Sequence, residues 1–374
     1  MTASPSAPPP RLPISVLTGF LGSGKTTLLS KLIRDPGMAR TAVVINEFGE
    51  VGLDHLLVAK ADENTVLMDS GCLCCTIRSD LADTLRDLYM RRMRGQVPEF
   101  DRVVIETTGL ADPAPILHTL MTDPLIAARF RLDGVVTTVD TVHGMGQLDA
   151  QEESRKQAAV ADRLVLTKTD LATPEQVATL KSRLRALNPG AVQVDGRTDE
   201  ALPVLLFDAG LYNPATKSLD VQRWLRAEAY GDGRDTHGHE HDHAHCDHDH
   251  GRCAHDHHHG HDPNRHGDSI RSFCLTADIP LAWDDLVGFF EALAKEHGPD
   301  LLRVKGLLNV KESPSPIVIH GVQHLFHPPV QLDAWPSDDR RTRIVFIVKD
   351  LTPDRIQSVF DAHVAQHEAW SPPG

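Results

Sequence analysis

The stretch Ile14-Ser15-Val16-Leu17-Thr18-Gly19-Phe20-Leu21-Gly22-Ser23-Gly24-Lys25-Thr26-Thr27 decides the fold. Five residues of strand character run straight into the pattern G-x-x-x-x-G-K-[ST]. A helix-length segment, 26–34, follows. Glycines let a backbone wrap closely round phosphates with its N–H groups turned inward. A helix that starts there presents its positive end to the same anion. In this pattern Lys25 reaches the β- and γ-phosphates and the Thr26 hydroxyl ligates Mg²⁺. Gly19, Gly22, Ser23, Gly24 and Thr27 complete the expected cradle.

Outward from the loop, short β-rich runs alternate with helix-length segments. The runs are 14–18, 41–46, 65–69, 102–106, 134–140, 163–167 and 191–194. Several are nearly continuous in Val, Ile and Leu, as strands buried on both faces of a parallel sheet read. Helices are expected over 77–92, 113–121 and 174–187, the last begun by Thr173 before Pro174 with Gln176 three on. The expected fold is α/β, a P-loop NTPase domain with a doubly wound, mostly parallel sheet. It spans 13–226, after a lead of 1–12 expected to be disordered. A His-rich linker, 227–270, joins it to a smaller α+β domain, 271–374. There strands are expected over 271–279, 301–310, 317–320, 324–327 and 341–348, with helices over 283–296 and 353–363.

Composition narrows the function. The chain has 374 residues, 41% of them hydrophobic, enough for a core in two domains. A formal charge of −14 argues against unassisted binding to nucleic acid or acidic membranes. No apolar run approaches a bilayer span. Residues 1–13 are Ala/Pro/Ser-rich and lack the apolar stretch of a secretory signal, and six Cys, three clustered, do not read as a disulfide framework. A reducing, cytoplasmic setting is expected.

Further motifs stand at other strand ends. Val103-Val104-Ile105-Glu106 precedes Thr107-Thr108-Gly109. An acid there can hold the Mg²⁺ shell and sense a γ-phosphate. Thr167-Lys168-Thr169-Asp170 closes another run. The Asp170 carboxylate can accept from the N1–H and 2-amino groups of guanine, a donor pair adenine lacks, and the Lys168 stem can stack on the base. Asn stands more often where this chain has Thr167.

Ser70-Gly71-Cys72-Leu73-Cys74-Cys75 offers three thiols in four residues. Thiolates suit Zn²⁺, Co²⁺ or Cu⁺, and three leave a position open. Glu47, in Asn46-Glu47-Phe48-Gly49-Glu50, could ligate that metal or position the attacking water; both roles stay open. The carboxyl ends of parallel strands share one crevice, so metal and nucleotide are expected as neighbours. Buried small residues or a redox pair are the plainer readings of the cysteines.

There are 22 His, 13 of them between 237 and 266, interleaved with Asp and with Cys246 and Cys253. Such a chain can wrap a metal with several imidazoles, at a cost in chain entropy that suits capture or buffering. His320, His324 and His327 could form a second site, although at strand spacing they are more often satisfied core or surface residues.

Taken together, these motifs resemble the CobW-type family of P-loop GTPases, metallochaperones and metal-insertion factors. The resemblance adds Ala111-Asp112-Pro113, Arg303-Val304-Lys305-Gly306 and Gly321-Val322-Gln323-His324, and covers roughly 13–365. It implies GTP hydrolysis with Mg²⁺, with Lys25, Glu106 and Glu47 catalytic. It also implies handling of Zn²⁺ or Co²⁺ at Cys72, Cys74, Cys75 and Glu47, and a client apo-metalloprotein or metal-chelating assembly as partner. A metal buffer acting through the His segment, a cobalt insertion factor for cobalamin synthesis and a P-loop kinase or other transferase are the competing functions.

Overall fold

A computed structural model describes residues 11–46, 66–69, 77–197, 202–207 and 269–364. Seven strands form one sheet: β1 (Leu12–Gly19), β2 (Thr41–Asn46), β3 (Val66–Asp69), β4 (Arg102–Thr107), β5 (Phe130–Asp140), β6 (Arg163–Thr167) and β7 (Val192–Asp195). Their order is β3-β2-β4-β1-β5-β6-β7, and every pair is parallel. All seven therefore end on one edge, with β1 central.

Both faces are covered. On one, α1 (Lys25–Ile33) and α8 (Leu202–Leu206) bury Leu28, Leu29, Leu32 and Leu206 against Leu17, Val43, Val104, Val136 and Val165. On the other lie α2 (Ile77–Met93), α3 (Ala114–Thr122), α6 (Glu152–Val160) and α7 (Pro174–Leu187), over Ile14, Val16, Val103, Ile105 and Leu164. Short helices α4 (Pro124–Arg129) and α5 (Gly144–Ala150) complete the layer. The Thr173 capping box forms, with Gln176 N donating to Thr173 Oγ1 at 3.3 Å and Thr173 N to Gln176 Oε1 at 2.8 Å.

The second sheet is antiparallel: β8 (Ile270–Ala277), β9 (Leu301–Leu308), β10 (Ile317–Val322), β11 (Leu325–Phe326), β12 (Val330–Gln331) and β13 (Thr342–Lys349). Helices α9 (Trp283–His297) and α10 (Pro353–Val364) pack on one face through Leu286, Phe289, Leu293, Ile356 and Phe360. The other face meets the parallel sheet's helices: Ile270, Leu302, Val322 and Ile347 join the core of the nucleotide half. Strand alternation explains the Arg303-Val304-Lys305 run. Val304 enters the helix-covered core, while Arg303 and Lys305 cross to Asp162. No helix among the described residues is long and apolar enough to cross a membrane.

Candidate nucleotide-binding site

The carboxyl edge of the parallel sheet carries the site. β1 delivers Gly19 at φ +143°, where an added Cβ would meet Thr138 Oγ1 at 2.3 Å and its carbonyl at 2.5 Å. Only glycine lets the loop leave β1 so close to β5. Gly24, with left-handed backbone, caps α1. The Ser23 hydroxyl shares a 2.7 Å hydrogen bond with the Thr138 hydroxyl. Lys25 is buried, its ammonium donating to the Gly19 and Phe20 carbonyls at 2.9 and 3.1 Å. The Thr26 hydroxyl donates to Glu106 Oε1 at 2.9 Å. Two hard oxygen ligands thus sit side by side where a phosphate-bound Mg²⁺ would need them, and this donor set fits that ion. Thr27 is exposed on the first turn of α1.

Glu106 is a buried acid on β4, and the turn beyond it touches the phosphate loop. A Cβ on Gly109 would lie 2.7 Å from the Leu21 backbone nitrogen and 2.8 Å from its Cα. The Thr107 hydroxyl donates to the Thr18 hydroxyl at 2.8 Å, tying β4 to β1.

At the end of β6 the Thr167 hydroxyl donates to the Ser23 carbonyl at 2.7 Å. This threonine joins the Thr167–Asp170 segment to the phosphate loop. Lys168, at φ +55°, extends its ammonium to Asp140 Oδ2 at 2.6 Å. Burial pushes the Asp140 carboxyl up, but hydrogen bonds from Lys168, His143 and the Val142 N–H overcome it and hold the carboxyl below its ordinary range. Asp170 stands exposed beyond them.

Three contributors were not evident in the sequence. Asp140 ends β5 as many strands end, and its partner Lys168 is 28 residues on. Asp195 accepts from the Thr169 hydroxyl at 3.0 Å and from the Arg197 N–H at 2.9 Å, and Gly196 accepts from the Lys31 ammonium at 3.1 Å. Only their place at a parallel strand end could have flagged them.

Glu47, Cys72, Cys74, Cys75 and the His-rich segment lie outside the described residues. The strands leading to them are described: Ile45 is in register with Asp69 on one side and Glu106 on the other. In the second sheet His320 is buried against Lys305, its register partner. Among the described residues no group of three His, Cys, Asp or Glu could hold a metal, so His320, His324 and His327 do not form the site the sequence allowed.

An all-parallel sheet, a glycine-cradled lysine and a Thr–Glu pair at adjoining strand ends define a P-loop nucleotide-binding protein. Two sequence profiles match: the CobW/HypB/UreG nucleotide-binding domain over residues 13–195 and the cobalamin synthesis protein cobW C-terminal domain over 270–364. The chain belongs to the CobW family. The zinc chaperone YjiA of Escherichia coli is 30% identical over 348 residues, covering 93% of this chain and 97% of that one. The zinc chaperone CobW of Pseudomonas aeruginosa is 29% identical over 375 residues, covering 91% and 88%. The crystal structure of the Zn(II)-bound YjiA GTPase from E. coli superposes with a TM-score of 0.67 at 27% identity, covering 95% of this chain and 99% of that one.

Proposed function

We propose that this chain is a cytoplasmic GTPase that carries zinc to a client apo-metalloprotein and couples metal transfer to nucleotide hydrolysis. The observation that carries the reading is the register at the sheet's carboxyl edge. Ile45 faces both Asp69 and Glu106, and β4 adjoins β1. The chain therefore sets out toward Glu47 and toward Cys72 from neighbouring strand ends, beside the Thr26–Glu106 pair. The names of the zinc-chaperone relatives favour zinc over cobalt as the cargo.

In this reading Lys25 exchanges the Gly19 and Phe20 carbonyls for the β- and γ-phosphates of GTP. Thr26 and Glu106 would hold Mg²⁺, which when bound would supply positive charge against the phosphates. Gly19, Gly22, Ser23, Gly24 and Thr27 cradle the anion. Asp170 reads guanine, Lys168 stacks on it, and Thr167 keeps that motif in step with the phosphate loop. Cys72, Cys74 and Cys75, with Glu47, hold zinc and leave room for a recipient's ligand. Loss of the γ-phosphate reorders the segments beyond β2, β3 and β4 and lowers the hold on the metal. The 227–270 segment serves as an accessory capture arm between the two halves.

The test is zinc titration of the full chain and of a Cys72/Cys74/Cys75→Ala variant, each with and without a non-hydrolysable GTP analogue. Loss of one tight site and of its nucleotide dependence is expected. An unchanged tight site in the variant would sink the proposal. Deleting 237–266 is expected to weaken zinc capture and to spare GTP hydrolysis and GTP-dependent transfer; loss of metal tolerance in cells on this deletion, with a Lys25→Ala variant normal, favours the buffer reading.

A further inference from the structure

Gln157 on α6 is completely buried, and its side-chain amide donates to two backbone carbonyls of the turn that follows Glu106: Gly109 at 3.2 Å and Ala111 at 3.0 Å. Its own backbone is fixed. The Gln157 carbonyl accepts from the Thr137 hydroxyl on β5 at 2.9 Å. The end of α6 is held by buried Asn188, whose Nδ2 donates at 2.9 Å to the carbonyls of Ala158, Ala159 and the capping residue Ala161. One residue before Gln157, Lys156 reaches Asp112 at 3.5 Å and Glu152 at 3.1 Å, and Glu152 accepts from Lys349 of β13 at 2.7 Å.

These contacts set the path of a turn that touches the phosphate loop. Gly109 packs on the Leu21 backbone. The Glu106 carboxylate is only three residues upstream and accepts from Thr26. A side chain that holds both carbonyls from a fixed helix decides how far the turn can swing when the γ-phosphate arrives or leaves. We propose that Gln157 is a positioning residue for GTP hydrolysis. It acts through the Glu106–Ala111 segment, and Lys156, Glu152 and Lys349 link the same helix to the antiparallel sheet. This rests on the GTPase reading above.

The experiment compares single-turnover GTP hydrolysis and GDP affinity for the full chain, Gln157→Leu and Gln157→Glu. Leu keeps the bulk and removes both donated bonds; Glu keeps the length and sets a carboxylate against two carbonyls. Losing such bonds is expected to slow hydrolysis by about tenfold in Gln157→Leu, and further in Gln157→Glu. GDP affinity should stay within about threefold of the unsubstituted chain, because the phosphate loop itself is untouched. Unchanged hydrolysis, or hydrolysis and GDP affinity falling together, would overturn the proposal. Gln157→Met serves if the Leu variant does not fold, and failure of both to fold would assign Gln157 a purely structural role. If the unsubstituted chain hydrolyses no GTP, it is the GTPase reading that fails.

Discussion

Gly109 shows how much one missing methyl group can decide. A Cβ there meets backbone atoms of Leu21 at 2.7–2.8 Å, and backbone cannot rotate aside as a side-chain tip can. Gly109→Ala must push the phosphate loop or the turn apart, at about 1–3 kcal/mol of overpacking. The fold should survive, since nothing in either core is touched. GTP affinity, read by titration with a fluorescent analogue, is expected to fall about tenfold or more; wild-type affinity would refute the contact. At this scale the sequence was a partial guide. Gly19, Lys25 and Thr26 stood in one spaced motif and Glu106 in another at a neighbouring strand end, and their geometry follows from both. Gln157, Asp140 and Asp162 carry no local pattern, because the groups that give them meaning lie 28–141 residues away in the chain.

Among the elements, continuous apolar runs announced β1, β2, β4 and β6 to within two residues. β5 begins four residues before the expected 134, because Arg131 and Asp133 disguise a strand. Asp133 is buried and accepts from the Ser15 hydroxyl at 3.0 Å across the β1–β5 pair. Helix α6 is concealed for the opposite reason: Glu-Glu-Ser-Arg-Lys-Gln opens it, and its apolar face is mostly alanine. Short helices α4 and α5 lack enough turns to show a period. The end of α7 nearest the capping box was the clearest helix signal in the chain. Thr173→Ala is expected to cost about 1 kcal/mol, seen as a lower urea midpoint with unchanged slope. It should leave GTP hydrolysis alone, because Thr173 lies outside the phosphate crevice.

Across the whole molecule, the two halves are joined by a charged knot inside an apolar seam. Asp162 is buried and accepts from Arg303 at 2.8 Å, Lys305 at 2.7 Å and the Val135 N–H at 2.9 Å. Burial raises its carboxyl, and the two cations more than reverse that, holding it well below the carboxylate range. Asp162→Asn strands two buried cations, and a loss of about 3–5 kcal/mol is expected in denaturant unfolding. Near this knot, burial and the charges of Arg303 and Arg11 press His327 down to about 4, and burial with Lys305 and Arg303 presses down His320. The unfolded value is about 6.5, so keeping these rings neutral adds stability in full above that pH. The contribution drains away as pH falls toward 4. For His327 alone about 2 kcal/mol should be gone at pH 5. A His327→Gln chain should show a flatter stability profile between pH 7 and 5, and an unaltered slope would contradict the assignment.

The same knot sets a timetable for synthesis. Asp162 and its partner Arg303 are 141 residues apart, which at ~5–20 residues per second is about 7–30 s of translation. The nucleotide half lacks four side chains of its own core until late: Ile270 and Leu302 are added toward the end of that interval, and Val322 and Ile347 after it. Its apolar seam stays open and its acid uncompensated until β9 is made. A nascent chain stalled near residue 268 should therefore be protease-sensitive and held by general chaperones, while one extended past β13 should release them.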